Sequence, residues 1–188
     1  RQKRVGQNNA HFWIYKFRTM IKDAPDIATH LVKDGKSLYT SIGPFCFIEE
    51  NVEIGNNCII YSGAQIYDGT KIGNNVKIFP SVIIGSAIFG PQRNESKILE
   101  TCTHLAGVSI GNNVEIGSNT SVLPGFLHDT IIGDGTKISS QVYIGSGMKI
   151  GKNCMIAGQV GFAGSTIVGD NVAIGGQAGI SGHLKIGS

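Results

Sequence analysis

Ile131-Ile132-Gly133-Asp134-Gly135-Thr136, Lys137-Ile138-Ser139-Ser140-Gln141-Val142, Tyr143-Ile144-Gly145-Ser146-Gly147-Met148 and Lys149-Ile150-Gly151-Lys152-Asn153-Cys154 are consecutive blocks of one pattern, which continues to Ser188. A large apolar residue returns at every sixth position: Ile132, Ile138, Ile144, Ile150, Ile156, Phe162, Val168, Ile174, Ile180, Ile186. Two residues ahead of each later member stands a smaller apolar or hydroxyl-bearing group, from Thr136, Val142, Met148 and Cys154 on to Leu184. A period of six fits neither the 3.6 of a helix nor the two of a long strand. It is the hexapeptide repeat of a parallel β-helix, in which three short strands and three turns make one coil. Gly and Asn crowd the turns because they tolerate positive φ.

Working outward, the same beat runs through Ile42, Ile48, Ile54, Ile60, Ile66, Ile72, Ile78 and Ile84. Positions eighteen apart should stack on one face at about 4.8 Å. The beat breaks over 86–107, where Pro91 and a polar run from Gln92 to Lys97 predict a loop extruded from one corner. It resumes at Ile110, Ile116 and Val122. The ten-residue step from Val122 to Ile132 then requires a bulge within 123–131. Long loops on a rigid solenoid are where sites tend to be found. The expected organisation is therefore an arm over 1–43 and a β-helix over 44–188. The chain opens without Met and stops inside a repeat, so truncation at both ends is expected.

Composition agrees with a solenoid. The chain has 188 residues with 27 Gly, only 5 Pro and 7% aromatics, which suits a core of stacked Ile and Val rather than large rings. No run of eighteen apolar residues is present, so no spanning helix is expected. Cys46, Cys58, Cys102 and Cys154 lack metal-ligand spacing, and Cys58 and Cys154 fall on inward positions. Free thiols in a reducing cytoplasm are expected, with no metal site. Residues 1–40 hold eight Lys/Arg against three Asp, while the rest holds eight against ten acidic residues. The basic arm is either solvated or in contact with an anionic membrane surface. No nucleic-acid partner is expected.

The arm does not share the period. Phe12 to Phe17 predicts a short strand, and Ala24 to Lys33 a modest helix after Pro25. Arg1-Gln2-Lys3-Arg4-Val5-Gly6, Ile14-Tyr15-Lys16-Phe17-Arg18-Thr19-Met20 and Asp26-Ile27-Ala28-Thr29-His30-Leu31 resemble bacterial polyprenyl-phosphate phosphoglycosyl transferases. That family's acidic catalytic pair would follow Ile42-Gly43, where this chain reads Pro44-Phe45-Cys46-Phe47. The resemblance therefore does not carry that activity here.

A second resemblance covers the solenoid. Val114-Glu115-Ile116-Gly117-Ser118-Asn119-Thr120, Asp129 to Ile138, Ile156 to Ser165 and Gly175 to His183 resemble the UDP-3-O-(3-hydroxyacyl)glucosamine N-acyltransferases of lipid A synthesis. The resemblance implies a left-handed parallel β-helix, all-β apart from the short irregular α/β arm, working as a homotrimer in the bacterial cytoplasm. It implies transfer of an acyl chain from the phosphopantetheine of acyl carrier protein, or from acyl-CoA, to the amino group of a UDP-sugar. No bound cofactor is expected.

Amide formation needs a base for the amine proton and donors for the developing oxyanion. In the family a His is the base and an Asp seven residues earlier orients it. Aligned on Ile138 to Met148, those positions are Ser146 and Ser139, and a lone hydroxyl is too weak a base. The family's second histidine, for the oxyanion or the carrier arm, is matched by His183. His128 in the bulge is a candidate relocated base, eighteen residues before Ser146. His104 matches a family turn and is either structural or a substrate contact. Arg93 could meet a diphosphate. Two functions stay open: an acyltransferase impaired at Ser139 and Ser146, or a non-catalytic trimeric scaffold that binds a sugar nucleotide. An ice-binding solenoid is excluded, because Thr120, Thr130, Thr136 and Thr166 do not repeat at eighteen as an outward Thr face requires.

Overall fold

A computed structural model describes residues 45–101 and 103–187, together with the backbone of Gln2–Val5 and His11–Ile14. Those two arm strands pair antiparallel, with Gln2 opposite Ile14 and Val5 opposite His11. The expected arm helix over 24–33, Ile42 and Cys102 lie outside the described residues.

From Phe47 the chain winds as a single left-handed parallel β-helix of two- and three-residue strands. The first face carries seven strands from Phe47–Ile48 to Gly179–Ile180. The second carries seven from Glu53–Ile54 to Lys185–Ile186, and the third six from Ile59–Ile60 to Ala173–Ile174. Each corner is named here for the face before it. Register follows the beat: Ile60 opposes Ile78, and Ile132 opposes Ile150. The six-residue periodicity is also visible in the backbone. Asn51, Asn57, Asn75, Asn113, Asn153, Gln159 and Asn171 all hold φ between 47° and 61° at corners. Asn bears this region at low cost, which is why it recurs there.

The core is aliphatic. Ile66, Ile78, Ile84, Ile116, Ile144 and Phe162 are fully buried, and Cys58 and Cys154 are buried free thiols. The five inward threonines, Thr70, Thr120, Thr130, Thr136 and Thr166, are all buried, so none belongs to an outward face. Inward Thr and Cys share one bonding habit. Cys58, Thr136, Cys154 and Thr166 each donate to a carbonyl fifteen residues on, at Gly73, Gly151, Gly169 and Ser181, over 2.9–3.1 Å. These small donors satisfy corner carbonyls that a Val ladder would leave to other partners.

Two interruptions shape the surface. The segment expected to be a loop over 86–107 contains a small β-hairpin, Gln92–Arg93 against Leu99–Glu100. The bulge adds four residues to one coil, so Val122 opposes Ile144 across a step of 22 rather than 18. Segment and bulge are tied together. Leu105 N–H donates to Phe126 O at 2.9 Å, Gly107 N–H to Asp129 Oδ1 at 2.9 Å, and Gly107 O accepts from both Gly125 and Thr130.

Candidate functional site

The bulge and the extruded segment wall a cavity of about 530 Å³ against the first corner. Three successive coils supply its floor. Ser146 follows the strand Tyr143–Ile144, Gly164 and Ser165 follow Gly161–Phe162, and Gly182 and His183 follow Gly179–Ile180. Ile88, Phe89, Gly90 and Gln92 come from the extruded segment, and Phe126 from the bulge. The cavity thus has a polar floor and an apolar lip. His183 is the one ionisable group among its lining residues.

The sequence-predicted residues separate here. Ser146 and His183 share this cavity. Ser139 does not; it lines a second cavity of about 320 Å³ at the third corner, with Phe79, Glu115, Lys137 and Met155. Seven residues carry the chain along one full side of the prism, so the two serines stand at different corners. His128 is exposed in the bulge. The 22-residue register sets Pro124, not His128, one rung before Ser146. Arg93 Nη1 donates to Lys97 O at 2.7 Å within its own hairpin and lines neither cavity. His104 is half-buried on the returning segment, outside both.

His183 occupies a corner position with φ 60°, where other coils hold Asn, Gln, Ser or Gly, and its N–H donates to Gly164 O at 3.2 Å. Its imidazole is therefore presented outward at the cavity mouth by a repeated backbone feature. Sequence reasoning missed a second feature. At the second corner, the N–H groups of Asn56, Asn74, Asn112 and Lys152 are capped by side-chain oxygens of the next coil, from Asn74, Asn112, Asp134 and Asp170, at 2.6–2.8 Å. At the first corner the equivalent next-coil residues are Gly164 and Gly182, which carry no side-chain oxygen. Among the described residues, the N–H groups of Ser146 and Gly164 have no acceptor. Uncapped amides beside a reacting carbonyl are the donors an oxyanion needs. Gly164 was legible in principle, since it stands eighteen residues after Ser146.

The chain matches the family described as bacterial transferase hexapeptide (six repeats) over residues 39–68 and 129–164, and the hexapeptide repeat of succinyl-transferase over 107–146. Over these segments the chain carries the hexapeptide repeat that both descriptions name. Among curated proteins it is 43% identical over 113 residues to UDP-3-O-acylglucosamine N-acyltransferase 1 of Francisella tularensis, covering 60% of this chain and 33% of that one. It is 45% identical over 110 residues to the UDP-3-O-acylglucosamine N-acyltransferase of Sinorhizobium fredii, covering 56% and 30%. The chain thus spans about a third of the length of these relatives. Among solved structures, the UDP-N-acetylglucosamine acyltransferase of Campylobacter jejuni superposes with a TM-score of 0.61 at 27% identity, over 77% of this chain and 61% of that one. That of Francisella novicida gives 0.59 at 28%, over 78% and 56%. These relatives and neighbours are acyltransferases named for UDP-linked amino sugars. Among the described residues, no helix is long and apolar enough to cross a membrane.

Proposed function

We propose that this chain belongs to an acyltransferase acting on a nucleotide-linked amino sugar, with Ser146 in place of an efficient base. The observation that carries the reading is the first-corner cavity. It combines an apolar lip of Ile88, Phe89 and Phe126, two uncapped amides and one imidazole. An acyl thioester, on the phosphopantetheine of a carrier protein or on coenzyme A, would lay its chain against the lip. The sugar amine attacks the thioester carbon, and a C–N bond forms. The carbonyl oxygen gathers charge and accepts from the Gly164 and Ser146 amides. The C–S bond then breaks, the amine gives up a proton and the thiolate takes one. Ser146 cannot hold that proton near neutral pH, so turnover falls by about two to four orders of magnitude against a histidine there. His183 is the imidazole left to steady the oxyanion or the thiolate. The assembly in this reading is a homotrimer, the UDP-sugar and acyl carrier are its partners, and the setting is the cytoplasm, with the basic arm facing the membrane.

Acyl transfer from acyl carrier protein and from acyl-CoA to a UDP-linked amino sugar tests this. The unmodified chain should turn over slowly, and Ser146→His should raise the rate about a hundredfold. His183→Ala in that background should lower it again. Ser139→Asp should add nothing, because that side chain stands at another corner. A silent Ser146→His chain that still binds the UDP-sugar would favour the non-catalytic sugar-nucleotide scaffold.

A further inference from the structure

The third corner holds an aromatic stack that stops where a ring could be added. Register aligns Ile60, Ile78, Ile116, Ile138 and Ile156 on successive coils. The residues that follow them, Tyr61, Phe79, Gly117, Ser139 and Ala157, therefore form one outward column. Tyr61 and Phe79 stack with centroids 5.1 Å apart and planes 9° from parallel. The next coil offers Gly117, so the second face of Phe79 meets no side chain from this column. The gap is built into the backbone, since a Cβ at Gly117 would run into the Ser139 carbonyl carbon. Ser139 closes the far side two rungs from Phe79, about 9.6 Å at ordinary strand spacing. That span leaves one rung of height for a planar ring, and the second cavity opens there, with Met155 as a further apolar wall.

We infer that this slot seats the base of a nucleotide, stacked on Phe79 in the rung that Gly117 leaves bare. Its rim is polar in the way a base requires and a partner's phenyl ring does not. The Ser139 hydroxyl has no hydrogen-bond partner among the described residues. Lys137 Nζ is held in place by Asn113 O at 2.8 Å and Glu115 at 3.1 Å, with Lys77 3.3 Å from the same carboxylate. Two ammonium groups against one carboxylate leave a positive balance for a phosphate. Base–aromatic stacking tolerates any base because every base has a π-face. The base therefore comes either from a uridine-diphosphate sugar or from the adenine of coenzyme A. The slot lies at a different corner from the acyl-transfer cavity, and only the two sources named for its base rest on the acyl-transfer reading. It gives Ser139 a role in ligand contact.

Saturation-transfer NMR on the full chain with UMP, AMP and ribose 5-phosphate tests it. At least one nucleotide should bind, with saturation strongest on its ring protons, while ribose 5-phosphate should not. UMP preferred over AMP assigns the slot to the sugar nucleotide, and the reverse to coenzyme A. Phe79→Leu should weaken binding about tenfold, Phe79→Tyr should keep it, and Lys137→Gln should weaken it and flatten its salt dependence. Failure of both nucleotides to bind at millimolar concentration would overturn the inference. So would ribose 5-phosphate binding equally well, or Phe79→Leu keeping full affinity in a folded chain. A change in sedimentation of Phe79→Leu with nucleotide binding intact would show that the slot seats a second copy of the chain instead. Because binding rather than turnover is read, a failure here leaves the acyl-transfer reading standing.

Discussion

Thr70 and Thr166 occupy the same inward column, and both are fully buried. Thr166 donates to Ser181 O at 2.9 Å and accepts from Leu184 N–H at 3.1 Å. Thr136 does the same with Gly151 O and Cys154 N–H, at 2.9 and 3.1 Å. Thr70 has no partner for its hydroxyl. The carbonyl that should receive it belongs to Gly85, where φ is 83° and the chain leaves the coil for the extruded segment. Two identical substitutions should therefore differ in sign. Thr136→Val strands a corner carbonyl and an amide and should cost about 1–3 kcal/mol. Thr70→Val removes a desolvated hydroxyl that bonds to nothing, and should be neutral or stabilise by up to about 1 kcal/mol. Urea midpoints of both variants decide it, and a loss at Thr70 matching that at Thr136 would show that its hydroxyl is satisfied in solution.

At the scale of the element, the second corner is a ladder of side-chain caps, and one rung is titratable. The Asn112 N–H donated to Asp134 holds that carboxyl below the usual carboxylate range, with Lys152 adding to the effect. A depressed value in the folded state means the contribution is present above the ordinary carboxylate value, about 3.9, and fades as pH falls through the lowered one. Asp134→Asn keeps an oxygen for Asn112, as Asn74 and Asn112 do on earlier rungs, but removes the charge. Its stability should stay near the parent at pH 7 and fall less steeply below pH 4; parallel acid profiles would refute this. Such rungs show what the sequence could and could not disclose. The beat at Ile132 to Ile186 announces strands, faces and register, because a solenoid repeats one local solution. The ten-residue step after Val122 already contains the 22-residue register. The hairpin at Gln92–Arg93 and Leu99–Glu100 was hidden because two-residue exposed strands leave no alternation. The cavity was hidden too, since Phe89 and Phe126 meet Ser146 only through bonds such as Leu105 to Phe126. The separation of Ser139 from Ser146 follows from counting six residues to a side. Family spacing drew attention to the pair, and the corner divides it.

For the whole molecule, stability in a stack of coils should be a sum of neighbour terms, so the cost of one change should depend on how many neighbours it has. Ile150 lies at 2% exposure between Ile132 and Val168 on the second face. Ile186 pairs with Val168 on one side and is only half-buried, and Leu184 nearby is 45% exposed. A carboxylate at position 150 would enter an aliphatic prism with no cation or donor to meet it. Ile150→Asp should therefore cost about 4 kcal/mol or more, within the range of unpaired buried charges. Ile186→Asp can turn its charge to water, and should cost about 1 kcal/mol. Denaturant midpoints give the totals, and hydrogen exchange in native buffer shows where the damage goes. Ile150→Asp should speed exchange in the coils on both sides, through Ile132 and Val168. Ile186→Asp should speed it in the last coil and leave the amides from Tyr61 to Phe79 protected. Equal costs with uniform exchange would mean that the prism unfolds as one unit, and that the nearest-neighbour account fails for this chain. Unequal costs with graded exchange would mean that each coil is held chiefly by the two it touches. On that account the first-corner cavity, built from three neighbouring coils around Ser146, Gly164 and Gly182, should keep its floor when the last coil loosens and lose it when the middle does.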